Sequence, residues 1–249
     1  MHAEVITNIG LVRKNNEDAA WSDLKNQFFV VADGMGGYVA GEVASVLAID
    51  SLKKVLAEEL NEAGDSPSEI LRQAFYQAND RIYQEAREHS EYAGMGTTLT
   101  ALWIVGNKAY IAHVGDSRVY LIREGKIKTL TLDHSLVGEL VREGGLTEEQ
   151  ARNHPQKNVL TRALGCSALV EVDITEVDTF PGDYFLLCTD GLSNLVSAAE
   201  MLDIVTPEKK KDRKRYVKQD MKVALQNLLD LALARGGYDN ITAILVNKG

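Results

Sequence analysis

Two very short links constrain the fold of this chain more than any other feature. Val105-Gly106-Asn107-Lys108 and Arg123-Glu124-Gly125-Lys126 join runs rich in Val, Ile, Leu, Tyr and Thr. A parallel neighbour needs a crossover of a dozen residues or more, so these runs are expected to pair as antiparallel hairpins. Strand-like runs are predicted near 3–8, 27–32, 97–105, 108–114, 117–123, 126–131, 170–177, 183–189 and 240–247. Two long helical patterns separate the second run from the third, from about Ala40 to Leu60 and from about Ser68 to Glu88. The latter places Ile70, Leu71, Ala74, Phe75, Ala78, Ile82 and Tyr83 on one face, and Ser66-Pro67 ahead of it is a helix-start signal. A third helix is predicted over roughly 214–235, stopped by Gly236-Gly237. Antiparallel meanders with paired amphipathic helices indicate an α+β layered fold rather than a doubly wound sheet.

The segment 133–165 breaks this pattern. It is polar, with short helical stretches at Ser135–Arg142 and Thr147–Arg152, and it reads as a flap inserted on the body. With only four prolines, no low-complexity linker and no repeat in its 249 residues, the chain is expected to be a single domain over 1–249.

Composition narrows the function classes. A 45% hydrophobic, 25% charged chain argues against disorder. A net charge of −9 argues against nucleic acid as a partner. One basic run, Lys209 to Arg215, stands out as either a solvated surface or a docking patch for an acidic partner. Cys166 and Cys188 cannot make a disulfide framework or a thiolate metal site, which fits a reducing, cytoplasmic compartment. The opening MHAEVITNIG has no basic-then-apolar pattern, and no run approaches the ~18 apolar residues of a membrane span, so a soluble protein is expected.

Four aspartates sit where an apolar run meets a turn or a glycine: FFVVAD33GMGG, AYIAHVGD116SR, DYFLLCTD190G and GGYD239NITAILV. Each alone is an ordinary strand-end turn. Together they suggest one sheet rim lined with hard oxygen donors, because clustered carboxylates become tolerable around a cation. Asp33-Gly34-Met35-Gly36-Gly37 is either a glycine-rich turn or a ligand followed by exposed carbonyls; it lacks the lysine of a phosphate loop. The stretch Gly10 to Asp18 is either a solvated loop or a site in which Arg13 offers a planar fork to phosphate oxygens and Glu17 and Asp18 hold metal-bound waters. His113 reads as a satisfied sheet residue, and His134 and His154 fall in the flap. No HExxH or G-x-S-x-G motif is present, so zinc hydrolase and serine hydrolase chemistry are unsupported. Oxygen ligands with a guanidinium describe metal-assisted phosphate-ester hydrolysis.

In order along the chain, LVRKNNEDA, VVADGMGGYVAGEVAS, GTTLTAL, AHVGDSRVYL, NVLTRALG, FLLCTDGLSNLV and GGYDNITAILV resemble the metal-dependent protein phosphatases of the PP2C type, in their compact bacterial form. The resemblance spans nearly the whole chain. It implies a four-layer αββα sandwich, with two antiparallel sheets between helix pairs. It implies hydrolysis of phosphoserine and phosphothreonine in proteins by a binuclear Mg2+ or Mn2+ centre whose bridging water attacks phosphorus in line, reversing bacterial Ser/Thr kinase signalling. By motif position, Asp33 would bridge the two ions, the Gly34 carbonyl would ligate one, and Asp190 and Asp239 would complete the other site. Asp116 would hold a weaker third ion together with Asp190. Arg13 would bind the substrate phosphate, Glu17 and Asp18 would contact metal-bound waters, and Asn240 would support Asp239. Many eukaryotic relatives carry a histidine, a proposed general acid, where this chain has Met35, so a metal-bound water is expected to protonate the leaving group instead. The 133–165 flap would tune substrate choice, and a monomer is the default. Two other readings remain: a catalytically silent binding or sensing module, against which the complete ligand set argues, and a phosphatase dedicated to an anti-sigma-factor antagonist.

Overall fold

The computed structural model describes residues 1–36, 40–59, 66–147, 150–151, 154–206 and 220–249. Its strands are β1 (His2–Asn8), β2 (Asp18–Asp23), β3 (Phe28–Met35), β4 (Gly96–Thr97), β5 (Leu99–Val105) and β6 (Lys108–Val114). They continue as β7 (Arg118–Arg123), β8 (Lys126–Thr129), β9 (Asp173–Asp178), β10 (Tyr184–Cys188) and β11 (Ile241–Asn247). The helices are α1 (Ala40–Glu59), α2 (Pro67–Glu88), α3 (Leu136–Arg142), α4 (Asp190–Ser193), α5 (Ala198–Val205) and α6 (Met221–Ala234).

One sheet runs β1-β11-β10-β7-β8 and the other β2-β3-β5-β6-β9, with β4 paired to the end of β3. All these pairings are antiparallel. The two short links close the β5–β6 and β7–β8 hairpins as expected.

Period-two alternation builds the layers. In β3, Phe28, Val30 and Ala32 face α1 and α2, while Phe29 and Val31 face the other sheet. In β10, Leu186 and Cys188 turn towards α5 and α6, and Phe185 and Leu187 turn inward to meet Phe29 and Val31. Three apolar strata result, one between the sheets and one under each helix pair. The architecture is the expected α+β sandwich of two antiparallel sheets between helices.

Several elements differ from the sequence expectation. The edge strand β2 was not anticipated. Its six residues, DAAWSD, are all half-buried and carry too few β-branched residues to advertise a strand. The stretch after Asp190, read only as a glycine turn, is the helical turn α4, and α5 follows, started by a capping box in which Ser197 and Glu200 exchange hydrogen bonds. The strand expected at 170–177 begins at Asp173. The last helix is observed over Met221–Ala234, between the caps Asp220 and Arg235, and positions 214–219 of the predicted 214–235 span lie outside the described residues, as does the basic run 209–215. Within the flap, Ser135 caps α3, and the second short helix, 147–152, is described only in part. Ser66 caps α2 as predicted, accepting from the Glu69 N–H. Among the described residues no helix is long and apolar enough to cross a membrane.

Candidate active site

The candidate residues meet on one rim of the two sheets. Asp33 lies within β3, two residues before its end, and Asp18 opens β2 directly opposite it in register. Asp116 sits in the turn that passes from β6 in one sheet to β7 in the other. Asp190 is the first residue of α4, immediately after β10, and Asp239 precedes β11. Both sheets therefore contribute carboxylates, and the antiparallel register of β2 against β3 brings two of them face to face.

Electrostatics records their proximity. Burial holds the Asp33 carboxyl well above the usual carboxylate range, and the charges of Asp18, Asp190, Asp116 and Asp239 push it the same way. Burial raises Asp116 as well, followed by repulsion from Asp190. Asp190 is raised by burial and by Asp239, with a hydrogen bond from Asp33 opposing. Burial pushes Asp18 up to about 7. Its Oδ2 accepts from the Thr189 hydroxyl at 2.9 Å, and its Oδ1 is buried with no partner.

Around this rim the backbone is stapled tightly. The Asp33 N–H donates to Thr98 Oγ1 at 2.9 Å, and Thr98 Oγ1 meets Ser117 Oγ at 2.8 Å, tying the Asp33 and Asp116 segments together. The Asn240 side chain accepts from the Glu17 N–H and donates to the carbonyls of Ile9 and Asn15, so it pins the 9–17 segment to the start of β11. Its support of Asp239 comes from its backbone N–H, which donates to Asp239 Oδ1 at 2.8 Å. Burial raises the Glu17 carboxyl, and its backbone carbonyl receives the Gly34 N–H and the Ser45 hydroxyl. Arg13, with about half of its side chain exposed (47%), donates from Nη2 to Asp239 Oδ2 at 2.8 Å.

The donor set suits a hard divalent cation: carboxylate oxygens from both sheets, one of them buried and unpaired. Among the described residues no three His, Cys, Asp or Glu side chains already close around a single point. The fit therefore rests on donor chemistry and on the unpartnered Asp18 oxygen. A cavity of about 250 Å³ opens beside the rim beneath the flap, bounded by Asp116, Asp190, Arg118 and Asp133 and by Val137 and Val141 of α3.

All the residues singled out in the sequence, Arg13, Glu17, Asp18, Asp33, Gly34, Asp116, Asp190, Asp239 and Asn240, lie along this rim. His113 is a satisfied buried residue, as expected, bonded to Thr100 and to the Leu132 carbonyl. Residues not anticipated are Thr189, which holds Asp18 from the opposite sheet, and Thr98 and Asn194, the latter donating to Asp190 Oδ2 at 3.0 Å. The signals available were a threonine directly before a strand-end aspartate and the presence of all three residues within GTTLTAL and FLLCTDGLSNLV, to which no role had been given.

Comparison with known proteins identifies the family. Residues 6–241 match the family model described as Protein phosphatase 2C. The chain is 41% identical to the serine/threonine phosphatase stp of Listeria welshimeri, covering 100% of this chain and 96% of that protein. It resembles the crystal structure of the Mycobacterium tuberculosis serine/threonine phosphatase PstP/Ppp at 36% identity and a TM-score of 0.85, with 99% and 97% of the two chains covered. A structure of the catalytic domain of serine threonine protein phosphatase PstP in complex with 2 manganese ions is similar at 34% identity and a TM-score of 0.85, covering 99% and 97%.

Proposed function

The chain belongs to the protein phosphatase 2C family and is a serine/threonine protein phosphatase, and from that premise we propose that the acidic rim is its binuclear metal centre. Asp33, the Gly34 carbonyl, Asp190 and Asp239 would hold two Mn2+ or Mg2+ ions, and Asp116 with Asp190 a weaker third. When bound, such ions neutralise charge on the phosphoryl group and lower the pKa of water, supplying a nucleophile near neutral pH. The observation that carries the reading is Asp33: a carboxyl raised first by burial and then by four neighbouring aspartates, an arrangement that is costly unless a cation is part of the design.

The chain's own residues do the rest. Arg13, held at the rim by Asp239, turns its planar fork towards phosphate oxygens and orients the group for in-line displacement. Asp18 offers its free Oδ1 to orient water or hold a proton beside the rim. Glu17 does the same from the Arg13 side, and Asn240 fixes the segment that carries both. The whole of 1–249 acts as one catalytic domain, and the 133–165 flap, roofing the cavity next to Asp116 and Asp190, selects among phosphoprotein substrates. Its substrates are phosphoserine and phosphothreonine proteins made by a Ser/Thr kinase of the same cytoplasm, and it works as a monomer.

The test is hydrolysis of a phosphothreonine peptide with Mn2+, with EDTA, and by Asp190→Asn and Asp239→Asn variants. Each of the three interventions is expected to lower the rate at least about 100-fold. Activity that survives EDTA and both substitutions would overturn the mechanism.

A further inference from the structure

The polar cluster behind the Asp116 turn is not used by the chemistry above, and its geometry is unusually specific. Gly115 and His134 are clamped at two points. The His134 N–H donates to the Gly115 carbonyl at 2.7 Å, and the Gly115 N–H donates back to His134 Nδ1 at 3.0 Å. Gly115 has φ +113°, and a Cβ there would run into Thr98, so the turn has little freedom of its own. On its other side His134 is the root of the flap. Its carbonyl accepts from the Thr161 N–H at 2.9 Å, and the next residues pair Ser135 with Leu160 and Leu136 with Val159. One residue thus holds the outgoing flap segment, the returning flap segment and the turn that presents Asp116.

The proton inventory assigns the ring. A neutral imidazole has one N–H. Nδ1 faces a donor, the Gly115 N–H, so it must be bare, and the proton belongs on Nε2, where Asp173 Oδ2 at 3.2 Å is the acceptor; Arg162 Nη1, which can only donate, also lies 3.1 Å from Nε2 and gives its hydrogen bond to Asp173 Oδ1 at 2.8 Å. Asp173 is fixed in turn by the Arg162 guanidinium at 2.8 Å, and Arg162 also reaches Glu171. His113 stacks on His134 with ring centroids 4.8 Å apart. Burial holds both rings below the usual histidine range, His113 at about 4, which favours the neutral form of the pair.

We propose that His134 is a positioning residue: its Nδ1 sets the place of the Gly115-Asp116 turn relative to the flap root, so that flap position and the Asp116 carboxylate move as one unit. The consequence for function rests on the reading of the acidic rim as the metal centre, whereas the clamp itself does not.

The first measurement uses the unmodified protein. Imidazole 15N shifts and a coupling across the Gly115 N–H···Nδ1 bond are expected to report a bare Nδ1 and a protonated Nε2 on His134. An Nδ1-protonated ring would overturn the proposal. The second compares two variants. In His134→Asn the amide oxygen falls where Nδ1 was and can still receive the Gly115 N–H. In His134→Gln the amide reaches the Nε2 position and keeps Asp173 but not Gly115. Exchange of the Gly115 amide and the Mn2+ concentration for half-saturation, read by Mn2+ binding as well as by activity, are expected to rise about 10-fold or more in His134→Gln and less than about 3-fold in His134→Asn. A merely structural histidine would make both effects follow the loss of Tm, whichever nitrogen is mimicked, and that result would overturn the proposal. If metal binding fails throughout while the amide-exchange contrast holds, the metal reading falls and the clamp stands.

Discussion

At the scale of single residues, the Asp18 carboxyl has one hydrogen-bonded oxygen and one orphan, and burial pushes its pKa up to about 7. A raised carboxyl binds its proton more tightly in the folded than in the unfolded state, so its contribution to stability is present below about pH 4 and is lost as pH rises through about 7. Removing the charge should therefore help only where the charge exists. In EDTA, Asp18→Asn is expected to raise Tm at pH 8, by about 2–4 °C for each kcal/mol recovered, and to change it little at pH 4. Thermal melts at the two pH values check this, and an equal shift at both would count against the electrostatic account. The same variant is expected to slow catalysis while melting higher, the trade that separates a functional carboxyl from a structural one. Asp18 also shows what one sequence can disclose. Its acidity and its place in LVRKNNEDA were legible, as were Asp33, Asp116, Asp190 and Asp239, because each combines a carboxylate with a strand-end pattern. Thr189 was not, since its role comes from reaching across to the other sheet, a distance of 171 residues along the chain.

Among the elements, α4 is the one that sequence patterning cannot reveal and that the site most depends on. It is a single turn, too short for a 3.6-residue periodicity to register, and Asp190 is its first residue. What holds it is close approach: a Cβ on Gly191 would fall directly on the Asn240 carbonyl. The same two segments carry Asp190 and Asp239, so their spacing is set by the absence of a side chain. Gly191→Ala is expected to cost about 1–3 kcal/mol by overpacking and to lower kcat/KM on a phosphopeptide at least about 10-fold by parting the two carboxylates. Tm and kcat/KM measured together check it; normal kcat/KM with normal Tm would show that the segments separate without consequence. The strand β2 escaped notice for a different reason. An edge strand of half-buried residues has no continuous apolar face, so its identity comes from pairing with β3, which local composition does not encode. The hairpins, α1 and α2 were legible because turn length and helical periodicity are local properties.

For the whole molecule, the site is a seam. Asp33 and Asp18 come from the sheet covered by α1 and α2, Asp190 and Asp239 from the sheet covered by α5 and α6, and Asp116 from the turn joining them. Between the sheets the apolar stratum of Phe29, Val31, Phe185 and Leu187 holds the layers together, but at the rim the nearest groups repel one another. A divalent ion placed there would replace repulsion by ligation across the seam and stabilise the sandwich as a unit. By mass action, an ion at 100 times its dissociation constant contributes about 2.7 kcal/mol, which for a chain of this size is about 5–11 °C in Tm. Mn2+ is expected to raise Tm by that order, EDTA to reverse the rise, and Asp190→Asn to remove most of it, because Asp190 faces carboxylates of both sheets. The stabilisation should also grow from pH 5 to pH 7.5, since protons compete for the raised carboxyls of Asp18, Asp33, Asp116 and Asp190 at the lower value. Calorimetry with and without Mn2+ at the two pH values decides it: a shift independent of pH, or one that survives Asp190→Asn unchanged, would place the bound ion away from the seam.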